Sequence, residues 1–324
     1  MRYTPSYELK FVKESQFSLF AENMNSILDK YRHEGYMEAY DGLKIYYEYF
    51  LCENSKGSVV IVHGLSEFTK KYYEVTTYFL NMGYNVFLYD QRGHGKSDRM
   101  TKKDILIHVK SFRQYTKDLD LLIEKIVKPA DDKPIYLYAH SMGGGVAADY
   151  LSQHTDVISK AILSAPLFQV DIGNVSVGFA KFGIKFMSIL IGPKRWFKGS
   201  KEFNPEHKIE NSNDESKSRF EHNLSLRCNN RCYQTTPMSL GWVDAMLSFE
   251  LHIQKPRVVS KIKTPILLIT AQNDTVVKSK PHYDFAKNCS TCEIIVQKNS
   301  KHAILTSTDD VISEHIHCVM DYFK

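Results

Sequence analysis

"PIYLYAHSMGGGVAADYL" (residues 134–151) is the stretch whose reading decides the fold. Its first half is a short apolar and aromatic run, the pattern of a strand buried on both faces. Its second half opens with three glycines and continues as a helix. Ser141 stands at the junction. A chain that turns sharply from strand to helix needs small residues two positions either side of the turn. Gly143 supplies one, and Ala139 the other, where the nucleophile signature G-x-S-x-G has glycine. An ordinary helix N-cap also favours serine, so the rest of the chain has to decide between a cap and a nucleophile.

On either side the same alternation repeats. "SVVIVHG", "YNVFLYD", "KAILSAP", "TPILLITA" and "CEIIVQ" read as short buried strands, with helical patterns between them and a terminal helix near 309–323. Strands of this kind alternating with helices give a mostly parallel sheet covered on both faces, whose functional groups gather at the carboxyl ends of the strands. "EGYMEAYDGLKIYYEYF" adds two alternating runs joined at Asp41-Gly42, a hairpin signal. Residues 1–33 read as a polar N-terminal extension with a helix around 17–31. The expected core is 34–167 and 241–324.

Residues 168–240 break the rhythm and read as an inserted cap, or lid. Within it Asn174, Gly178, Lys181, Lys185 and Ser188 fall on one narrow polar stripe of a helix, and most other positions are apolar. One expectation is that this wide apolar face packs on the core. The other is that it roofs a greasy pocket, with Phe179, Phe182 and Phe186 receiving an acyl chain, while its lysines meet anionic headgroups. Residues 171–201 hold six Lys/Arg and one Asp.

The chain of 324 residues is long enough for a sizeable core. A formal charge of +5 is modest for this length, so no nucleic-acid partner is implied. No signal-peptide pattern and no run of about 18 uncharged apolar residues is seen, so a cytoplasmic location is expected, with the 174–191 helix as the segment for peripheral contact at a membrane's inner face. The six cysteines are expected as free thiols. "CNNRC" and "CSTC" lie far apart, and chance spacing is favoured over a zinc site.

A serine nucleophile needs a base, a group orienting that base, and donors for the oxyanion. Each appears in order. Met142, following Ser141 at a helix start, offers one N–H, and Leu65 after "VVIVHG" offers the second. "ILLITAQND" ends in Asp274, a carboxylate after a later strand. His302 follows the last strand in "CEIIVQKNSKHAIL". Of the 13 histidines, His63, His94 and His140 also lie near the site, but each adjoins a tight glycine turn or the nucleophile strand and reads as scaffold. "YDQRGHGKSD" (89–98) lacks the spacing of a phosphate loop and reads as a structural turn.

These segments resemble the α/β-hydrolase superfamily, in the branch that contains monoacylglycerol lipases and bacterial lysophospholipases. The resemblance runs from about Glu34 to the C-terminus, the middle of the insertion excepted. It rests on "HGLSEFTKKYYEVTTYFLNMGYNVFLYDQRGHGKSD", "AHSMGGG", "SAPLF", "LLITAQNDTVV" and "KNSKHAIL", and the alanine form of the turn is found among the bacterial lysophospholipases. It implies an eight-stranded α/β-hydrolase sheet with a helical cap after the sixth strand. It also implies a Ser141–His302–Asp274 ester hydrolase, with Leu65 and Met142 as oxyanion donors, acting on single-chain acyl lipids without metal or organic cofactor. Alternatives on the same fold are an aminopeptidase, for which Glu202, Glu206 and Glu210 could hold the substrate ammonium, a C–C bond hydrolase, and a non-catalytic lipid-binding protein.

Overall fold

The computed structural model describes residues 1–324. Eight strands form one sheet in the order β1-β2-β4-β3-β5-β6-β7-β8. They are β1 (Arg32–Glu38), β2 (Lys44–Phe50), β3 (Ser58–Val62), β4 (Asn85–Tyr89), β5 (Ile135–His140), β6 (Lys160–Ser164), β7 (Ile266–Ala271) and β8 (Cys292–Gln297). The β1–β2 hairpin turns through Gly42, at φ 81, and β2 pairs antiparallel with β4. All other pairings are parallel. This is the α/β-hydrolase fold.

The helices are α1 (Glu14–Tyr31), α2 (Tyr73–Asn81), α3 (Arg113–Leu122), α4 (Lys128–Ala130), α5 (Met142–Leu151), α6 (Val177–Ile191), α7 (Lys217–Asn229), α8 (Leu240–Ile253), α9 (Pro256–Val259), α10 (Lys280–Asn288) and α11 (Asp309–Phe323). The central strands alternate between two cores, as the twofold side-chain period of a strand requires. Val60, Val62, Leu137, Ala139 and Leu163 face the layer of α3, α5 and α8, whereas Val59, Ile61, Tyr138 and Ile162 face that of α1, α2 and α11.

The 1–33 segment is more integrated than its polar composition suggests. Phe17, Ala21, Met24 and Leu28 form one buried stripe of α1, which packs against α2 and α7. At that seam the buried Arg219 of α7 binds Glu74 at 2.6 Å and the Val12 carbonyl at 2.7 Å, and lies 4.7 Å over the Phe17 ring. Glu14 accepts the Ser218 N–H at 2.7 Å. The seam could not be read from α1 alone, because its partner lies two hundred residues on.

The "YDQRGHGKSD" segment is a turn built on ion pairs. Asp90 accepts the Thr69 and Lys96 N–H groups, and Arg92 is buried between Asp118 and Asp41.

Between β6 and β7 the chain leaves the sheet for α6 to α9. The exit is laced to the segment after β7. Asp171 N–H donates to the Val276 carbonyl at 2.8 Å, and Lys278 N–H to the Gln169 carbonyl at 2.9 Å. Buried Glu250 of α8 accepts the Val170 N–H at 2.8 Å.

α6 departs from one expectation. Its wide apolar face does not pack on the core: only Val177 is buried, and Phe182, Ile189 and Leu190 are each more than 60 % exposed. The helix rests on α8, with Ala180 and Ile184 against the core, and most of the rest of its apolar surface is exposed.

Burial raises the Glu250 carboxyl to about 7, against the Val170 hydrogen bond and the Lys278 charge. Between the unfolded value and about 7 the folded chain keeps a proton that the unfolded chain has lost, so stability falls as pH rises through this window. Glu250→Gln keeps an acceptor for Val170. Its melting temperature relative to the parent should be higher at pH 8 than at pH 5, by the equivalent of about 2 kcal/mol; a pH-independent difference would contradict this account.

Candidate active site

Ser141 occupies the turn between β5 and α5 at φ 51, ψ −119, a region that side chains other than glycine rarely enter. The backbone is pinned on both sides. Ser141 N–H donates to the Ser164 carbonyl at 3.0 Å, and its own carbonyl accepts from Leu167 and Gly145 at 2.8 and 3.1 Å. The glycines permit the approach: a Cβ on Gly143 would sit 2.1 Å from the Val62 carbonyl oxygen, and one on Gly145 would sit 2.8 Å from that of Leu167. Ala139 is buried between Val62 and Leu163, where its methyl fits.

Ser141 precedes α5 but does not cap it through its side chain. Its Oγ lies 2.8 Å from His302 Nε2, and His302 Nδ1 lies 2.7 Å from Asp274 Oδ2. A carboxylate only accepts, so Nδ1 carries the imidazole proton and Nε2 is free to accept from the serine hydroxyl. Asp274 is fixed in turn, because its Oδ1 accepts the Val276 and Val277 N–H groups at 2.8 and 3.0 Å. Burial would raise its pKa, but the His302 hydrogen bond and charge and the two amides hold it below the usual value.

The Leu65 and Met142 N–H groups, at the ends of β3 and β5, have no hydrogen-bond partner within the chain. The loop bearing Leu65 is rigid for reasons the sequence did not disclose. Glu67, buried, accepts from Gly64 N–H at 2.5 Å, the Tyr72 hydroxyl at 2.6 Å and Lys71 Nζ at 2.6 Å. His63 Nε2 accepts the Gln91 N–H at 2.9 Å, so its Nδ1 carries the proton and donates to the Gly64 carbonyl at 2.7 Å.

His140 packs its ring 5.1 Å from that of His302. Burial lowers its pKa to about 4, and also depresses His63 and His282. These neighbours are therefore neutral near pH 7 and do not oppose positive charge on His302. His282 carries no local motif that marks it in the sequence. It bridges Thr270 at the end of β7 and the Pro166 carbonyl after β6, at 2.9 and 2.8 Å.

Ser141 and His302 open into a cavity of about 850 Å³. One side is apolar, with Leu167, Val170, Ile184, Trp242 and Met246. Of the three α6 phenylalanines expected there, Phe179 lines the cavity and Phe182 and Phe186 do not. All three are largely solvent-exposed, Phe179 by 73 %, Phe182 by 72 % and Phe186 by 55 %. Ala180, Gly183 and Ile184 take the inward positions, because only that strip of α6 faces α8. Glu202, Glu206 and Glu210 are exposed and do not line the cavity.

The family model described as serine aminopeptidase, S33, matches residues 53–309, which include Ser141, Asp274 and His302. The chain belongs to this family. Lysophospholipase L2 of Escherichia coli K12 is 26 % identical over 96 % of this chain and 93 % of its own length. A probable lysophospholipase L2 of Haemophilus influenzae is 27 % identical over 85 % of this chain and 87 % of its own. A soluble variant of the Saccharomyces cerevisiae monoglyceride lipase, solved with a substrate analogue, superposes with a TM-score of 0.71 at 20 % identity, over 90 % of this chain and 93 % of that one. This last likeness is one of fold.

The tight approach at Gly143 makes a direct prediction. Gly143→Ala must push the β5–α5 turn away from the end of β3, costing about 3 kcal/mol of stability, and should displace Ser141. A thermal melt and an ester assay check this; a variant with parental melting temperature and turnover would contradict it.

Proposed function

We propose that the protein is a serine carboxylic-ester hydrolase that removes the acyl group from single-chain acyl lipids, lysophospholipids or monoacylglycerols. The observation that carries this reading is the continuous chain Asp274–His302–Ser141 opening into a cavity with one apolar wall. Ser141 Oγ attacks the ester carbonyl while His302 Nε2 takes its proton. Asp274 holds the tautomer and stabilises the imidazolium. The Leu65 and Met142 N–H groups receive the oxyanion. His302 then protonates the departing alcohol, and water repeats the cycle on the acyl-enzyme. No step calls for a metal or organic cofactor. A cavity of this size accommodates one acyl chain with its headgroup.

Residues 168–240 act as a cap on a core of 34–167 and 241–324, with Phe179 and the α8 side chains against the acyl chain. The lysophospholipase names of the two bacterial relatives support the substrate class. The family's aminopeptidase description keeps an N-terminal-proline peptidase as the competing reading. The exposed position of Glu202, Glu206 and Glu210 counts against it, since none of them reaches the cavity to hold an ammonium.

A side-by-side assay of monoacylglycerol, lysophosphatidylethanolamine, a short p-nitrophenyl ester and a Pro-arylamide separates the two. Ester turnover should dominate, and Ser141→Ala should lower it by about 10⁴-fold or more with the fold retained. Preferential arylamide cleavage, or an active Ser141→Ala variant, would overturn the reading.

The outward arc of α6 is the proposed contact with a membrane. Phe182, Phe186, Ile189 and Leu190 are exposed beside Lys181 and Lys185, and Lys194, Arg195 and Lys198 follow. An apolar arc flanked by cations suits an anionic lipid surface. No helix is long and apolar enough to cross a membrane. Ser141→Ala protein should co-sediment with phosphatidylglycerol vesicles and lose most of that binding when Phe182→Asp and Phe186→Asp are added. Equal pelleting of both proteins would contradict the assignment.

A further inference from the structure

The cavity above Ser141 has a second, polar wall that a fatty acyl chain does not use. It is formed by Lys71 and by residues flanking and within α7, among them Asp214 and Arg227. It adjoins the oxyanion loop through Glu67, whereas the apolar wall lies under α6 and α8. An ester seated at Ser141 with its acyl chain on the apolar side therefore directs its alcohol portion toward Asp214 and Arg227.

The charges on this wall are not paired alike. Lys71 is taken up by Glu67 at 2.6 Å. Arg227 has no carboxylate partner: its Nε donates to the Tyr233 carbonyl at 3.1 Å, its guanidinium lies 4.6 Å over the Phe203 ring, and its Nη2 is buried without a hydrogen-bond partner. Burial lowers its pKa to about 10, against the field of Asp214, which is the mark of an undercompensated cation. Asp214 forms no ion pair. It accepts only the Thr306 hydroxyl, at 2.5 Å, through Oδ1. Once Lys71 and Glu67 are set aside, one guanidinium and one carboxylate remain, each lacking an ion-pair partner, in the same cavity wall.

We propose that Arg227 and Asp214 form a headgroup subsite for zwitterionic lysophospholipids, with the phosphodiester anion on Arg227 and the headgroup ammonium on Asp214. A guanidinium is suited to a phosphate because it offers planar paired donors. A monoacylglycerol carries no charge for either group. The subsite rests on the ester-hydrolase reading of Ser141 and names its preferred substrate. The reaction consumes one water per acyl ester, whose oxygen enters the fatty acid, and releases a zwitterionic glycerophosphodiester.

The position of α7 suits such a role. Its entry is tied to the loop that carries His302, because Glu215 and Ser216 N–H both donate to the Thr306 carbonyl at 2.8 Å. The Arg219 seam fixes the same helix to α1 and α2. The subsite therefore stands on the anchored part of the insertion, not on the exposed α6.

The test compares kcat/KM for oleoyl lysophosphatidylethanolamine, oleoyl lysophosphatidylglycerol and monooleoylglycerol, below their micellar concentrations, in the parent, Arg227→Gln, Arg227→Lys and Asp214→Asn. Each readout is a ratio of substrates within one protein, so partial loss of folded material cancels. Arg227→Gln should lower the lysophosphatidylethanolamine-to-monooleoylglycerol ratio by about 10- to 100-fold, and Arg227→Lys should restore part of it. Asp214→Asn should shift preference from the ethanolamine headgroup toward the anionic glycerol headgroup by about fivefold or more. Unchanged ratios would overturn the subsite, as would a parent enzyme that cleaves monooleoylglycerol but no lysophospholipid, and in either case the ester-hydrolase reading stands. A folded parent that cleaves no ester overturns both.

Discussion

The site depends on a single strained residue. Ser141 is held at φ 51, ψ −119, a conformation that costs on the order of 1–3 kcal/mol and persists only where its surroundings over-determine it. Those surroundings are the β3, β5 and β6 backbones. The Ser164 carbonyl takes the Ser141 N–H, Leu167 and Gly145 bind the Ser141 carbonyl, and Gly143 lets α5 close onto the end of β3. The turn holds the hydroxyl against His302, and Met142 N–H, the first of α5, has no acceptor within the chain, as is usual at a helix start. The sheet register sets the remaining distances, because Leu65, Asp274 and His302 all follow the carboxyl ends of strands whose spacing is fixed by parallel pairing.

Around this turn the electrostatics are arranged so that one imidazole can gain charge. Asp274 is kept ionised by the His302 hydrogen bond and two backbone amides, while burial keeps His63, His140 and His282 neutral near pH 7. Each of these neighbours also holds backbone or packs against His302. His63 fixes the loop bearing Leu65, and His282 spans the ends of β6 and β7. The cavity above Ser141 has an apolar wall and a charged one, which is the physical basis for the proposal that acyl chain and headgroup take different sides.

Much of this was legible in the chain because it is local. A run such as "PIYLYAHSMGGG" states its own strand, turn and glycine requirement, and the order of Ser141, Asp274 and His302 along the strands placed them at one sheet edge. What stayed hidden depends on distant partners. Phe17, Met24 and Leu28 mark a buried helical stripe, but nothing in them points to Arg219 of α7. Glu67, Lys71 and Arg227 look like ordinary surface charges until the fold brings them to one cavity. α6 misled for another reason: hydrophobic periodicity reveals which positions share a face, but not whether that face meets protein or something else. Most of its apolar arc is exposed, and of the three phenylalanines on it only Phe179 reaches the cavity, beside Ala180 and Ile184.

The claim at the centre of this account is that backbone strain and an imidazole oriented by Asp274 make Ser141 a reactive nucleophile. Labelling of the native protein with a fluorophosphonate, followed by peptide mapping by mass spectrometry, tests it most directly. The account predicts a single adduct on Ser141, suppressed in the His302→Ala variant. A folded protein that takes up no probe, or that carries the adduct on another residue, would contradict it.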